Sequence, residues 1–482
     1  MYTMKHRISA MAGVFLLFAI AAAGQEQVAP LTLQESVSTA LKNNFDVKQS
    51  ELRSESASIV LKQSRRDLLP AISGSVGHGY NQGRSIDPFT NSYIDQNVGF
   101  ANYSLGGSIT LFNGLLLQNS IRQNSLAYEA SRMEQQQARE RLTLDVILAY
   151  LQILSNEDLL NQATLRADLS RQQVKRLETL NKEGAIPPSQ LYDLEGQLAN
   201  DELSIINTRN ALDASRLRLA QLMNVEYRPD MQVARLSEAA LQLTQRYPFS
   251  AGDIYNSAVD QLAIIRGAAL RKESAEKGVQ VARSSGMPNL SFSSNLFSNY
   301  SSLATRNSLG GIENVTTDQY IDVNGTRYPV IAPQQNMRSE KIDFSDQLKN
   351  NYSSSFSLNL RIPIFNSLQT RSRVAQAKVD LKNAELVEST TQLELKQAVD
   401  QAYFNMQAAW DRYGALNRQV EAFRQAFRAA EARFNAGAGT SVDYSVAKNN
   451  YDQAQINLIN ARYDYVLRSK VLDYYRGALT LE

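Results

Sequence analysis

The chain carries few side chains that could perform catalytic or metal chemistry. It has no cysteine and only two histidines, His6 and His78, among 482 residues. The lack of cysteine excludes disulfides, a thiolate nucleophile, a cysteine-ligated metal and a lipidated N-terminal cysteine. A zinc hydrolase or a Ser-His-Asp enzyme with two working histidines needs more than the single imidazole left once a leader is removed. We therefore expect no enzyme activity, no cofactor and no metal site.

The first 24 residues are typical of a secretory signal. Lys5, His6 and Arg7 form a positive start, the apolar run 10–23 follows, and small residues offer cleavage before Gly24 or Gln25. The alternative is a membrane anchor, but this run is shorter than the roughly 20 residues that span a bilayer as a helix. Without Lys5 and Arg7 the formal net charge of +2 falls to zero. The charge therefore gives no support for a nucleic-acid partner.

No later segment is a long uninterrupted apolar run of the kind that forms a membrane helix. An exported chain without such a helix can enter a membrane only as a closed β-barrel, because hydrocarbon leaves no partner for open sheet edges.

The chain repeats itself at two fixed offsets. An offset of 218 residues pairs Pro70 with Pro288, and an offset of 253 pairs Ala149-Tyr150 with Ala402-Tyr403. The larger offset also pairs Leu111-Phe112-Asn113 with Ile364-Phe365-Asn366. The offsets differ by 35 residues, which predicts an insertion between residues 288 and 365. We interpret the chain as a tandem duplication.

Each repeat is predicted to contain a helix, a strand hairpin, a long helix and a return helix. In the first repeat, 25–223, these are 31–69, 70–113, 114–182 and 188–223. In the second repeat, 251–477, they are 251–287, 288–366, 367–435 and 441–476. The signal 1–24, a linker 224–250 and a tail 478–482 complete the chain. Pro70 and Pro288 mark the helix-to-strand turns, because the residue before a proline avoids α geometry.

Both hairpins alternate apolar with small or polar side chains. This period of two is typical of a lipid-facing barrel strand, although a half-buried strand of a soluble sandwich shows the same pattern. The polar segments 81–98 and 303–350 are predicted to be hairpin loops, and the second contains the insertion. The predicted lipid-facing residues are Leu105, Ile109, Leu111, Phe356, Leu358, Leu360, Ile362 and Ile364.

The long helices are predicted to be about 100 Å long, at roughly 1.5 Å per residue. Large residues recur every seven positions along the return helices, as at Tyr444, Tyr451 and Leu458. This spacing indicates a coiled-coil seam, and an ordinary helical bundle shares it. Helices this long with a narrow apolar stripe need neighbours along their whole length.

Four strands cannot close a membrane barrel, for which about eight is the practical minimum. Two copies supply eight strands and three supply twelve, which leaves room for an aqueous lumen. The sequence therefore predicts a ring of identical chains, most simply a duct.

The ordered motifs resemble those of the TolC-type outer-membrane efflux family. The clearest stretches are Phe434-Asn-Ala-Gly-Ala-Gly-Thr-Ser-Val-Asp443 and Asn460-Ala-Arg-Tyr-Asp-Tyr465, and the resemblance covers about 31–477. It implies a mainly α fold with membrane β: a long antiparallel coiled-coil α-barrel plus four strands per chain in a trimeric, 12-stranded transmembrane β-barrel. The implied partners are two further copies, a periplasmic adaptor, an inner-membrane transporter and outer-membrane lipid. The implied place is the outer membrane, with the helices in the periplasm.

The resemblance also implies residue roles. The helix-to-helix turns would dock the adaptor, and Asp443, with Asp193 as a loose second, would line a periplasmic gate of carboxylates. Two positions depart from the family pattern: a second aspartate is replaced by Val446 and an arginine by Gly439, so the gate can differ. The docking residues are Gly184, Ala185, Ile186, Pro187, Pro188, Ser189, Gly437, Ala438, Gly439, Thr440 and Ser441.

Other functions stay open at this stage. A periplasmic coiled-coil adaptor or scaffold without a membrane part would pack its apolar strand faces against each other. Within the duct reading, type I protein secretion competes with drug or metal efflux, and nine unclustered methionines argue against a dedicated soft-metal channel. An exported hydrolase lacks a suitable constellation of histidine or carboxylate.

Overall fold

The computed structural model describes residues 30–87, 90–236 and 245–479. The predicted signal, residues 237–244 of the linker and the last three residues of the tail lie outside these ranges. Within the described residues, no helix combines the length and the apolar character needed to cross a membrane.

The described helices and strands follow one another in two similar series. The helices are α1 Leu33–Asn43, α2 Phe45–Arg66, α3 Leu116–Lys182, α4 Pro188–Met223, α5 Ala251–Gln261, α6 Ala263–Ser284, α7 Phe344–Asn350, α8 Gln369–Asn435 and α9 Ser441–Tyr475. The strands are β1 Ala71–Asn81, β2 Arg84–Ile86, β3 Tyr93–Asp95, β4 Val98–Phe112, β5 Asn289–Ser301, β6 Thr305–Val323, β7 Thr326–Lys341 and β8 Ser353–Arg361.

The element bounds repeat at the two offsets found in the sequence. Helices α1 and α2 recur as α5 and α6 after 218 residues, and α3 recurs as α8 after 253. Both long helices contain 67 residues. The predicted internal duplication is confirmed.

The single helices predicted over 31–69 and 251–287 are wrong, because each is divided in two. The breaks fall at Asn44 and Leu262, which have extended backbones with ψ of 131° and 132°. The Asn44 side chain accepts a hydrogen bond from the backbone N–H of Asp46 at 2.9 Å, which caps the start of α2. Leu262 is buried in an apolar core instead.

The same capping device begins both repeats. Thr32 and Ser250 are the N-caps of α1 and α5, and each accepts from the backbone N–H three residues later. The carboxylates of Glu35 and Asp253 accept a hydrogen bond from the backbone N–H of the cap residue, which completes a capping box. The second helix of each pair ends before the proline that follows it: α2 stops at Arg66, before Pro70, and α6 stops at Ser284, before Pro288.

The chain divides into two compact units. One contains the chain up to Ser58, Leu126–Glu273 and the chain from Lys382, and its described elements are helices. Its apolar cores repeat as well: Leu142, Val146 and Ile153 of α3 lie in one core. Their counterparts Leu395, Val399 and Met406 of α8 lie in another. Large apolar residues on a narrow stripe therefore hold the long helices against their neighbours.

The other unit contains Ile59–Ser125 and Ser274–Leu381 and includes the strands. Four antiparallel strands form a sheet in the order β1-β4-β5-β8, so β1 and β8 are its edges. The prediction of four strands is correct for this sheet only. The segment 303–350 is not a simple loop: it forms the β6–β7 hairpin followed by α7, and β2 and β3 form a smaller hairpin within 81–98.

Three residues predicted on the lipid-facing strands are not paired in the sheet. Strand β8 ends at Arg361, so Ile362 and Ile364 lie beyond it. The reason is Pro363, which has no backbone N–H to continue the ladder. A bulge in β4 between Thr110 and Phe112 leaves Leu111 unpaired and places Phe112 opposite Leu290.

Candidate functional sites: helix turns, buried charges and an amphipathic sheet

The two helix-to-helix turns, 183–188 and 436–440, have the same backbone. Gly184 and Gly437 are left-handed, with φ of 70° and 73°. The N–H after each glycine reaches back to the helix: Ala185 donates to Leu180 at 2.8 Å and Ala438 donates to Arg433 at 2.9 Å. This is the Schellman arrangement, which favours glycine because a Cβ is strained at that φ. An added Cβ would meet nothing within 4 Å at either glycine, so the turns are open and their glycines serve the backbone.

Gly439, which stands where the family resemblance expects arginine, has a different constraint. A Cβ there would lie 3.2 Å from the backbone nitrogen of Phe434. The chain therefore folds tightly onto the end of α8 at this position, and a long side chain has little room.

The turns begin the return helices differently. Pro187 precedes α4 and Pro188 occupies its first turn without a side-chain cap, a position where the missing N–H costs nothing. Thr440 caps α9, and its hydroxyl accepts from the backbone N–H of Asp443 at 3.1 Å. Of the other predicted docking residues, Ile186 lies in the first of these turns, and Ser189 lies in the first turn of α4.

The two predicted gate carboxylates are brought close to one helix start. Asp443 is exposed in the first turn of α9, where the helix dipole favours a negative charge. Asp193 is exposed on α4 and accepts a hydrogen bond from Ser441 of α9 at 3.4 Å. Val446, one turn further on, is 54% exposed.

An aromatic cluster fixes the helices behind the turns. Tyr444, 1% exposed, stacks on Phe434 with ring centroids 5.0 Å apart. Phe427 contacts Tyr444 and stacks on Tyr451 at 5.8 Å. Large rings bury much area with few rotamers. The helix ends that carry Asp443 and Asp193 are therefore held rigidly by this cluster.

Sequence reasoning missed a group of buried charges one to two turns from this cluster. Lys448 of α9 lies 3.2 Å from Asp201 of α4 and 2.8 Å from Asp452. Arg166 of α3 lies 2.6 Å from Asp201 and 3.4 Å from Asp452. Ser170 donates to Asp201 at 2.5 Å. We call these five residues the charge cluster; it joins three helices.

The two carboxylates of the charge cluster have opposite pKa shifts. Burial acts to raise the pKa of Asp201, but the hydrogen bond from Ser170 and the charges of Lys448 and Arg166 outweigh it, so its pKa is lowered. Burial raises the pKa of Asp452, because Lys448 and Arg166 compensate it less completely. The signal in the sequence was the spacing of Tyr444, Lys448 and Asp452, which places two charges on the buried stripe of α9.

The Ala-Tyr motif of the first repeat has a structural role. Tyr150 is fully buried in α3, and its hydroxyl lies 2.5 Å from the carbonyl of Ala234 and 3.0 Å from that of Leu31. Burial raises the pKa of this phenol to about 12. Leu31 also pairs with Val233, so one hydroxyl holds the linker and the start of the repeat together.

The register of the β1-β4-β5-β8 sheet separates its two faces. On one face, Val76 lies opposite Tyr103, Leu105 opposite Leu296, and Phe292 opposite Leu358. On the other face, Ser75 and Ser104 share a hydrogen bond at 2.7 Å, as do Ser293 and Ser357. Every strand contributes apolar side chains to the first face and small polar ones to the second.

The apolar face of this sheet is exposed over most of its area, and Phe344 of α7 covers one end, where it contacts Tyr103 and Tyr300. Exposures are 70% for Ile72, 74% for Val76 and 68% for Phe356. Ile109 is partly buried, whereas Leu105, Leu358 and Leu360 are exposed. The predicted turn residues Pro70 and Pro288 lie directly before β1 and β5, the first strand of each hairpin. In the part of the chain that the structure describes, no group of His, Asp and Glu side chains is arranged to hold a metal ion.

Comparison with known proteins agrees with this architecture. The chain is 21% identical over 443 residues to the Escherichia coli outer membrane protein TolC, covering 91% of this chain and 80% of that protein. It is 21% identical over 450 residues to TolC of Vibrio cholerae, covering 93% and 91%. The solved Campylobacter jejuni CmeC outer membrane channel superposes with a TM-score of 0.73 at 16% identity, covering 96% of this chain and 91% of that one.

The family model for outer membrane efflux proteins matches residues 36–225 and 254–477, which include both repeats. At these low identities the structural similarity shows only the fold, and the family match shows to which family the chain belongs. The residues between its two matched segments, 226–253, overlap most of the predicted linker 224–250, which the family resemblance implies is equatorial. The chain belongs to the outer membrane efflux protein family.

Proposed function

We propose that three copies of this chain form the exit duct of a tripartite efflux system in the outer membrane. The observation that carries the proposal is the β1-β4-β5-β8 sheet, which has one continuous apolar face and two unpaired edges. Unpaired backbone groups cost several kcal/mol each in hydrocarbon. Pairing β8 of one copy with β1 of the next removes both edges and closes a twelve-stranded wall. Its apolar face meets lipid, and its Ser-rich face lines a watery lumen.

The exposed apolar face also argues against a periplasmic scaffold. A scaffold would pack its apolar strand faces against each other, yet Val76 and Phe356 stay exposed. The duct itself performs no chemistry in this proposal, and the energy for transport comes from its partner in the inner membrane.

The turns containing Gly184 and Gly437 are proposed to dock the periplasmic adaptor. Their backbones are alike although the residues around them differ, so an adaptor with a repeated contact could engage both. The support is their openness together with the rigid aromatic base behind them.

Asp443 and Asp193 are proposed to line the periplasmic entrance. Three copies would place six carboxylates around it, and such a ring concentrates cations. Gly439 and Val446 leave this chain without the arginine and the second aspartate of the family pattern, so the carboxylate of Asp193 takes part instead.

The principal experiment is mass determination in detergent together with single-particle electron microscopy. A trimer with an elongated outline is expected. A compact monomer that is stable in plain buffer would contradict the duct.

The entrance is tested by current through single trimers in planar bilayers. We expect Mg²⁺ added on the entrance side to reduce the wild-type current, and Asp443→Asn to weaken this block severalfold. The control is Asp411→Asn, an exposed aspartate in the middle of α8. Equal block by Mg²⁺ in both variants would contradict the proposal that Asp443 lines the entrance.

Docking is tested with single cysteines at the turns. We expect Ala438→Cys and Ala185→Cys, both exposed, to cross-link to the adaptor in cells that make the whole system. The control Ala415→Cys in α8 should give no adduct. Cross-linking only at the control position would place the adaptor elsewhere.

A further inference from the structure

The β6–β7 hairpin is a long ribbon, and none of the other described helices or strands forms a second layer on it. Its strands contain 19 and 16 residues, so it extends about 60 Å at roughly 3.3 Å per residue. An isolated two-stranded hairpin is at best marginally stable in water. Something outside the protomer must therefore stabilise it.

One face of the ribbon has four large apolar side chains over its middle, with Gln335, Asn314 and Thr316 between them. Leu309 lies opposite Met337, Ile312 opposite Gln335, and Ile331 opposite Thr316. Leu309, Ile312, Ile331 and Met337 are 66%, 71%, 61% and 62% exposed. We call these four residues the ribbon face.

A β-bulge in β6 brings Leu309 and Ile312 to the same face. Leu309 and Ile312 are three residues apart and would point to opposite sides of a regular strand. The register shift between Leu309 and Gly311 inserts an extra residue, which returns Ile312 to the side of Leu309. Gly311 has φ of 132°, a conformation that favours glycine.

The opposite face is polar and satisfied within the same hairpin. Glu340 lies 3.8 Å from Arg306 and 4.0 Å from Arg338, and Asn336 donates to Glu313 at 2.7 Å. The hairpin has as many acidic as basic residues, so copies of it do not repel one another. Val315 on this face is 38% exposed, and Ile321 and Tyr328, nearer the tip, are 59% and 57% exposed. The ribbon face is therefore the larger apolar patch over the middle of the hairpin.

The edges of the ribbon are poor sites for a further strand. Pro329 and Pro333 of β7 have no backbone N–H, and both lie among the residues that pair with β6. Prolines on an edge strand prevent continuous strand addition. An occupant must therefore contact side chains rather than extend the sheet.

We propose that the ribbon faces of the three copies pack against one another on the trimer axis. This inference rests on the proposed trimer. Each hairpin leaves its sheet from β5 and returns through α7 to the edge strand β8, so it begins beside the seam between copies. Three hairpins held at one rim meet at high effective concentration. Packing them buries four apolar side chains per copy and keeps the ion pairs in water.

Cysteine cross-linking tests this packing, and an introduced cysteine is the only thiol because the chain has none. Ile331→Cys lies on the ribbon face, and Gln334→Cys, three residues away on the same strand, lies opposite Glu313 on the polar face. Both positions are exposed in the protomer. With a short bifunctional maleimide on intact cells, we expect at least a tenfold higher yield of linked copies for Ile331→Cys.

The outcomes separate this inference from the duct itself. Equal yields at the two positions mean independently moving hairpins and overturn the packing. No linked product, with Ile331→Cys shielded from a monofunctional maleimide, means that lipid or another protein covers the face and also overturns it. In either case a trimer measured in detergent leaves the proposed duct intact, whereas a monomer removes both.

A second variant guards against misfolding by the cysteine. Ile312→Asp with Ile331→Asp should keep the trimer mass and make the bond after Arg327 at least tenfold more sensitive to trypsin. The matched pair Ser308→Asp with Gln334→Asp, on the polar face, should leave cleavage unchanged. Unchanged cleavage in the first pair would contradict the packing.

Discussion

The sheet and the helices place apolar and charged side chains in opposite ways. The sheet exposes Val76 and Phe356, whereas the helices bury Lys448 and Asp201 at 1% and 0% side-chain exposure. An exposed apolar face is stable when hydrocarbon replaces water. A buried charge is stable when opposite charges and hydrogen bonds replace water. The sheet therefore depends on surroundings outside the protomer, while the charge cluster is complete within it.

The largest effect should come from removing the cation of the charge cluster. Lys448→Met leaves Asp452 and Asp201 with Arg166 as the remaining cation of the charge cluster, and breaking a buried pair costs about 3–5 kcal/mol. Denaturant unfolding of detergent-purified protein, followed by helical circular dichroism, measures this loss. Lys182→Met, at an exposed position near the end of α3, is the control and should change little. A loss below about 1 kcal/mol would show that the cluster is not compensated as described.

The next effect compares the two faces of β8. Leu360→Asp puts a charge on the apolar face, and a charged side chain there should cost up to about 2 kcal/mol of membrane stability. Asn359→Asp puts the same charge on the face where Asn359 contacts Ser293 at 3.3 Å. The yield of trimer in outer membranes should fall for the first variant only. Equal yields for both would contradict the assigned lipid face.

A smaller effect tests a buried neutral group that, like the charge cluster, is satisfied inside the protomer. Tyr150→Phe keeps the ring and removes a hydroxyl near two backbone carbonyls. Leaving them less paired should cost about 1–2 kcal/mol. Tyr192→Phe, at a tyrosine that is 67% exposed, is the control in the same unfolding experiment. An equal loss of unfolding free energy in the control would show that removing any tyrosine hydroxyl has this effect, and that the contact of Tyr150 with the linker is not its cause.

The smallest effect is on how the unfolding free energy depends on pH, which should have opposite signs for Asp452 and Asp201. The pKa of Asp452 is raised from its ordinary value of 3.8, so the folded protein binds its proton first. The stability that wild type gains over Asp452→Asn should therefore rise as pH falls toward 3.8.

For Asp201 the sign is reversed. Its pKa is lowered from 3.8, so its ionised form stabilises the fold above that pH. The advantage of wild type over Asp201→Asn should fade as pH falls below 3.8. Unfolding free energies from pH 7 to pH 3 measure both slopes, and slopes of the same sign would contradict the assigned partners.

Patterns with a local cause were predictable from the sequence. The two offsets anticipated the paired helices because duplicated segments fold alike, and strand alternation anticipated the sheet because its period is two. The family, the fold and the outer-membrane place followed from ordered motifs and are confirmed. The gate, the docking turns and the domain bounds stay predictions.

Features that depend on distant partners were missed. The break at Leu262 reflects an extended residue whose side chain fills a core, and nothing in its neighbours marks it. The insertion is polar enough to resemble a loop, because its bulge disguises the alternation of the ribbon face.

The sequence by itself determined the duplication, the long helices and the shortage of strands, since repeats, periodicity and strand number are properties of the chain read in order. Only the tertiary structure decided which charges share a buried site and which apolar residues share a face. Those pairings join residues hundreds of positions apart, such as Asp201 and Lys448. Their stability comes from desolvation and close contact, which do not exist until the helices and strands meet.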